Sequence, residues 1–125
     1  MADKPLGVTE YELAVLEVLW KCRQATIREI TEAIYGESST TAYATVQKLL
    51  ERLEKKGCAS RDRSSFAHVF RATIDRSDLI GQGLESLAEK LCGGSVTPLL
   101  IHLVETTKLT DQQRRMLRKL IDEAK

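Results

Sequence analysis

The stretch from Thr40 to Gly57 carries the pattern that most restricts the fold. Wound at helical pitch, Ala42, Val46, Leu49, Leu50 and Leu53 fall within an arc of about 100°. Thr40, Ala44, Gln47, Lys48, Glu51 and Lys55 fall opposite, with Thr41 and Thr45 at the margin. The spacing predicts a helix over 40–56, buried on one side only and stopped at Gly57. Lys55 and Lys56 suit the negative end of its dipole. Past Gly57 the period changes. Cys58–Arg61 predicts a short strand, Asp62-Arg63-Ser64-Ser65 a turn, and Phe66–Ala72 a second strand, so a β-hairpin follows the helix directly.

Two earlier helices announce themselves by their caps. Thr9-Glu10-Tyr11-Glu12 and Thr26-Ile27-Arg28-Glu29 are capping boxes, in which hydroxyl and carboxylate satisfy each other's backbone donors. Leu13, Leu16 and Trp20, widened by Val15 and Leu19, form the first stripe. Ile27, Ile30 and Ile34 form the second, which Gly36 ends. After the hairpin, Ile80, Leu84, Leu87, Ala88 and Leu91 predict a helix from Ser77 to Cys92. A short helix should run from Val96 to Val104, with Pro98 tolerated in its first turn, and Thr110 should cap a last one.

The order is thus mainly α with a small β-hairpin: a winged helix-turn-helix over 1–74 followed by a helical dimerisation region over 75–125. Charge supports this placement. Residues 38–71 hold seven basic and three acidic groups, residues 1–37 four and seven, and residues 72–125 eight of each. A local basic block in a chain of net charge +1 is the expected footprint of a polyanion. The third helix is expected to enter the major groove of double-stranded operator DNA. Gln47 and Lys48 would read bases or phosphates, Ala44 would meet a thymine methyl, and Thr40, Thr41 and Thr45 would donate to phosphates. Arg61 and Arg63 would contact the backbone or minor groove from the wing, whereas Arg52 is expected to pair within the domain. The alternative is a protein-binding winged-helix adaptor, which should show apolar or acidic groups on the third helix rather than Thr, Gln and Lys.

Other classes find little support. His68 and His102 have no nucleophile or acid partner at a telling spacing, so an enzyme is not expected. Cys22, Cys58 and Cys92 make no C-x-C or C-x-x-C pair, so neither a metal nor another cofactor is expected, and the thiols read as reduced and mostly buried. No apolar run approaches the roughly 20 residues of a membrane span, and Met1–Leu6 shows no leader. A cytoplasmic location, without membrane insertion, is the resulting expectation.

Several stretches carry a family resemblance. They are Leu6-Gly7-Val8-Thr9-Glu10, Val18-Leu19-Trp20, Thr26-Ile27-Arg28-Glu29-Ile30, Ala42-Tyr43-Ala44-Thr45-Val46, Leu49–Gly57, Phe66–Phe70 and Gly93-Gly94-Ser95. Together they resemble the penicillinase-repressor family of the BlaI/MecI/CopY type over nearly the whole chain. The resemblance implies a DNA-binding winged helix and a C-terminal region that forms a homodimer. It places DNA contacts at Ala44, Thr45, Gln47 and Lys48, of which only Thr45 is close to the usual residue. Beta-lactam-responsive members are cut at an Asn-Phe bond by a membrane-bound sensor protease, and the matching pair here is His102-Leu103. Copper-responsive members carry C-x-C pairs, which this chain lacks. The dimer contacts are expected from Leu84, Leu87, Leu91, Leu99, Leu100, Leu103, Leu117 and Leu120. Burial of such leucines stabilises by about 1.5–3 kcal/mol each.

Overall fold

The computed structural model describes residues 7–124. Met1–Leu6, read above as lacking a leader, and Lys125 lie outside the described residues. The elements run α1 (Glu10–Cys22), β1 (Ala25–Thr26), α2 (Ile27–Tyr35), α3 (Thr40–Lys55), β2 (Ala59–Asp62), β3 (Val69–Ala72), α4 (Arg76–Leu91), α5 (Thr97–Thr106) and α6 (Asp111–Glu123). This is the expected winged helix-turn-helix followed by helices.

Both N-terminal capping boxes close as their sequences require. Thr9 Oγ1 accepts the Glu12 N–H at 3.1 Å while Glu12 Oε1 accepts the Thr9 N–H at 2.7 Å. Thr26 and Glu29 repeat the exchange at 3.2 and 2.8 Å. Gly36 ends α2 at φ 79, the left-handed region in which a Cβ would be strained. Ser39 Oγ then caps α3 by accepting the Ala42 N–H at 3.1 Å.

The hairpin is larger than its sequence suggests by one strand and shorter by three residues. β1 joins it, giving an antiparallel sheet in the order β1-β3-β2, with Ala25 opposite Phe70 and Asp62 opposite Val69. A two-residue strand shows no alternation, so no period could reveal it. Phe66, Ala67 and His68, expected in the second strand, lie in the turn instead. Pairing stops at Asp62–Val69, and only from there does the β3 face alternate around buried Phe70.

The core gathers Val15, Leu16 and Leu19 of α1, Ile27 and Ile30 of α2, Val46, Leu49, Leu50 and Leu53 of α3, and Phe70 and Ala59 of the sheet. Three polar ties join the elements around it. Glu12, wholly buried, pairs with Lys56, which joins the start of α1 to the end of α3 and gives Lys56 a partner beyond the helix dipole. The Trp20 indole N–H donates to the Ile74 carbonyl at 2.8 Å, and Arg76 lies over the same ring at 4.8 Å while bridging to Glu17. The Thr73 hydroxyl donates to the Gly57 carbonyl at 2.6 Å.

The chain divides into two compact units between Ser86 and Leu87, inside α4. Along α4, Leu79 and Ala88 are the buried apolar residues. Of the expected inward stripe Ile80, Leu84, Leu87, Ala88 and Leu91, only Ala88 is buried, and the other four are exposed. In the second unit Gly93 and Gly94 break the chain after α4 at φ 60 and 93. Pro98 sits in the first turn of α5, and Thr110 with Gln113 closes a capping box on α6. Neither α5 nor α6 has a buried residue.

Candidate nucleic-acid interface

α3 presents one face to solvent because its other face is needed for the core. Thr40, Thr41, Ala44, Thr45, Gln47, Lys48, Glu51, Arg52 and Lys55 are exposed, and Ala42, Val46, Leu49, Leu50 and Leu53 are buried. The outward face is polar and basic apart from Ala44 and Glu51. At its N-terminus the backbone N–H groups of Thr40 and Thr41 precede the first intrahelical bonds, so they point outward as anion donors. The Thr45 hydroxyl already donates to the Thr41 carbonyl at 3.0 Å. A phosphate oxygen only accepts, so Thr45 must release that bond before it can donate to one. Arg52, expected to pair within the domain, makes no ion pair among the described residues and joins the open face instead.

The wing separates its two arginines. Arg63 is exposed in the turn. Arg61 is not available in the same way: its side chain is 15% exposed, its Nη2 bridges Glu54 Oε1 at 2.8 Å, and its guanidinium lies 4.7 Å from the Phe70 ring centre. The expected pairing of Arg61 with Arg63 as outward contacts is therefore corrected. One side of a strand alternates with the other, and Arg61 falls opposite Phe70 in register. Arg71, which sequence reading left without a role, is exposed on the other face and donates to Gln24 Oε1 at 3.0 Å. Its position next to an inward phenylalanine was the available signal. Of the seven basic residues in 38–71, Lys56 and Arg61 are engaged with carboxylates, leaving Lys48, Arg52, Lys55, Arg63 and Arg71 in the open.

The turn itself is ordered locally. Asp62 Oδ1 accepts the Ser64 N–H at 2.9 Å, and the Ser64 hydroxyl, followed by this backbone bond, lowers the Asp62 pKa. At the base of the wing, burial pushes the Cys58 thiol up, against the opposing pull of Lys56. Of the three thiols Cys58 is buried, Cys92 partly so, and Cys22 exposed, so the expectation of mostly buried thiols holds for Cys58 alone.

The sequence has counterparts among known proteins. The family model described as penicillinase repressor matches residues 8–123. The chain belongs to the penicillinase-repressor family. It is 25% identical to the penicillinase repressor of Bacillus licheniformis over 118 residues, covering 94% of this chain and 91% of that protein. It is 32% identical to the transcriptional regulator BlaI of Mycobacterium tuberculosis over 115 residues, 89% of this chain and 83% of that one. Against the methicillin resistance regulatory protein MecI of Staphylococcus aureus the identity is 22% over 122 residues, 98% of each. The penicillinase-repressor family consists of transcriptional repressors, not enzymes.

Within that family frame, the sequence-expected contacts Thr40, Thr41, Ala44, Thr45, Gln47 and Lys48 share one exposed helix face, and Arg63 is exposed in the wing. The leucines expected at a dimer contact are also open. Leu84, Leu87, Leu91, Leu100, Leu103, Leu117 and Leu120 are exposed and Leu99 is half-buried. His102 and Leu103 lie in the middle of α5, with the His102 carbonyl accepting the Thr106 hydroxyl at 2.8 Å. No helix among the described residues is long and apolar enough to cross a membrane.

Proposed function

We propose that this repressor binds a palindromic operator as a homodimer, with α3 in the major groove and the β2–β3 wing on the adjacent backbone or minor groove. The observation that carries the reading is the α3 surface: five core residues on one side, and Gln47, Lys48, Thr40, Thr41 and Ala44 free on the other. A side chain of this length on a helix can reach base edges in a groove about 12 Å wide. Gln47 reads an adenine edge, Lys48 a guanine or phosphate, and Arg63 a phosphate. Arg61 holds the wing against Glu54 and Phe70.

The second unit is the dimer contact. At roughly 40 residues it is at the size below which oligomerisation is usually needed for a stable fold. Its helices α5 and α6 leave Leu100, Leu103, Leu117 and Leu120 in water. A second copy of the chain covers them and brings a second α3 to the other half-site. Cleavage between His102 and Leu103 by a membrane-bound sensor protease would split this contact and remove the avidity that two linked half-sites provide.

A mobility-shift titration with the gene's own upstream region tests the reading. The expected result is a dimer on an inverted repeat, with half-sites about 10 base pairs apart or a multiple of that. Binding that is salt-independent, or absent from every upstream fragment, overturns it.

A further inference from the structure

The β2–β3 turn holds the most exposed large apolar side chain among the described residues. Phe66 is 106% exposed, against 73% for Leu91 and 72% for Ile121. In the same hairpin Phe70 is wholly buried. An aromatic ring gains free energy on leaving water, so a ring held out at a turn is open to a partner.

Three features of the turn say what that partner is. The last sheet pair is Asp62–Val69, so residues 63–68 project beyond the sheet. Half of that loop, extended, reaches at most about 10 Å, against a minor groove about 7.5 Å deep and 6 Å wide. The projection is thin: Phe66 is flanked by Ser64, Ser65 and Ala67, none of which is bulky enough to keep the ring from a groove floor. It is also pre-shaped. The Ser64 N–H donates to Asp62 Oδ1, and the Ser65 hydroxyl donates to the Ala67 carbonyl at 2.8 Å, which lowers the ordering cost of insertion. Arg63, exposed beside it, supplies the positive charge that a narrow groove attracts.

We infer that Phe66 is a wedge: the ring enters the minor groove next to the α3 site and partly unstacks one base step in each half-site, bending the operator. The inference rests on the operator-binding reading above and adds a residue and a DNA deformation to it. Apolar side chains inserted between base steps bend a duplex towards the major groove. Pyrimidine–purine steps deform most easily, so the preferred half-site should carry a TA or CA step under the wing, at a position no side chain reads by hydrogen bonds.

The test uses the full-length protein and a duplex that it selects from a random-sequence pool. The duplex carries 2-aminopurine at successive steps and a donor–acceptor dye pair at its ends. Wild type should raise 2-aminopurine emission at one step per half-site and shorten the end-to-end distance. Phe66→Ala should lose both signals and bind about tenfold more weakly. Phe66→Leu, still an apolar wedge, should keep most of each. The ring contributes nothing to the core, so all three proteins should unfold at the same denaturant midpoint. If Phe66→Ala binds with unchanged bend and emission, or loses affinity without changing either, the wedge is overturned and operator binding stands. If wild type selects no duplex, both fall.

Discussion

At the residue scale, side chains of the same type part company according to where their backbone places them. Arg61 and Arg63 are two positions apart, yet one is packed between Glu54 and Phe70 and the other faces water. Arg61→Ala should therefore lower stability by about 1–3 kcal/mol, through loss of a charged hydrogen bond and a ring contact. The loss would be read as a lower urea midpoint, with the salt dependence of DNA binding unchanged. Arg63→Ala should leave the midpoint alone, weaken all sequences alike and reduce the salt slope of the dimer by about 2, one contact in each protomer. Gln47→Ala should behave differently from both, costing about 1–3 kcal/mol on the preferred site and little on random DNA. Equal losses on the two DNAs would remove Gln47 from the base-reading role. The thiols divide in the same way. A raised pKa keeps Cys58 protonated to higher pH, and it is buried as well. An alkylating reagent near pH 8 should accordingly label exposed Cys22 first, which peptide mapping would show.

At the element scale, the caps set where the DNA-facing helix begins. Gly36 at φ 79 turns the chain from α2 towards α3, with no neighbouring atom within 4 Å of where a Cβ would sit. Gly36→Ala therefore meets no clash and costs only the left-handed backbone, about 1–2 kcal/mol. Ser39→Ala removes the cap of α3 and should cost about 1 kcal/mol. Both would be measured by chemical denaturation of the intact protein, and a cost near zero for Gly36→Ala would mean the turn relaxes to another conformation. The boxes that start α1 and α2 and the glycine that ends α2 were legible in sequence, because a hydroxyl followed three residues later by a carboxylate, and a glycine after the last apolar residue, are local signals; Ser39, with Ala42 three residues on, carries no such pattern. The wing was less legible: β1 is too short to show a period, and Phe66 looks like a strand residue until pairing is known to stop at Val69.

At the scale of the whole molecule, the number of open cations bounds the electrostatics. Five of the seven basic residues in 38–71 are free of carboxylates, so a dimer can neutralise at most about ten phosphates with them and show a slope of log K against log salt no steeper than about −9. Were Lys56 and Arg61 also contacts, the limit would be about −13. A slope measured by titration at several salt concentrations separates the two. The second unit gives the other prediction. A chain ending before His102 loses α6 and half of α5, with Leu103, Leu117 and Leu120. It should sediment as a monomer at micromolar concentration and bind the operator more weakly than the full chain. If it remains a dimer of full affinity, both the dimer contact and the proteolytic route are wrong.

The sequence by itself determined the helices, the caps at Thr9, Thr26 and Thr110, the buried stripe of α3 and the confinement of positive charge to the middle of the chain, because each follows from neighbours within one or two turns. Tertiary structure alone decided which charges remained open. Lys56 meets Glu12 across 44 residues, and Arg61 lies over a phenylalanine that only the strand register places opposite it. Tertiary structure also left Phe66 outside the sheet and the α4 stripe in water. Packing and pairing depend on segments far apart in the chain, and no local period records where a distant partner will be.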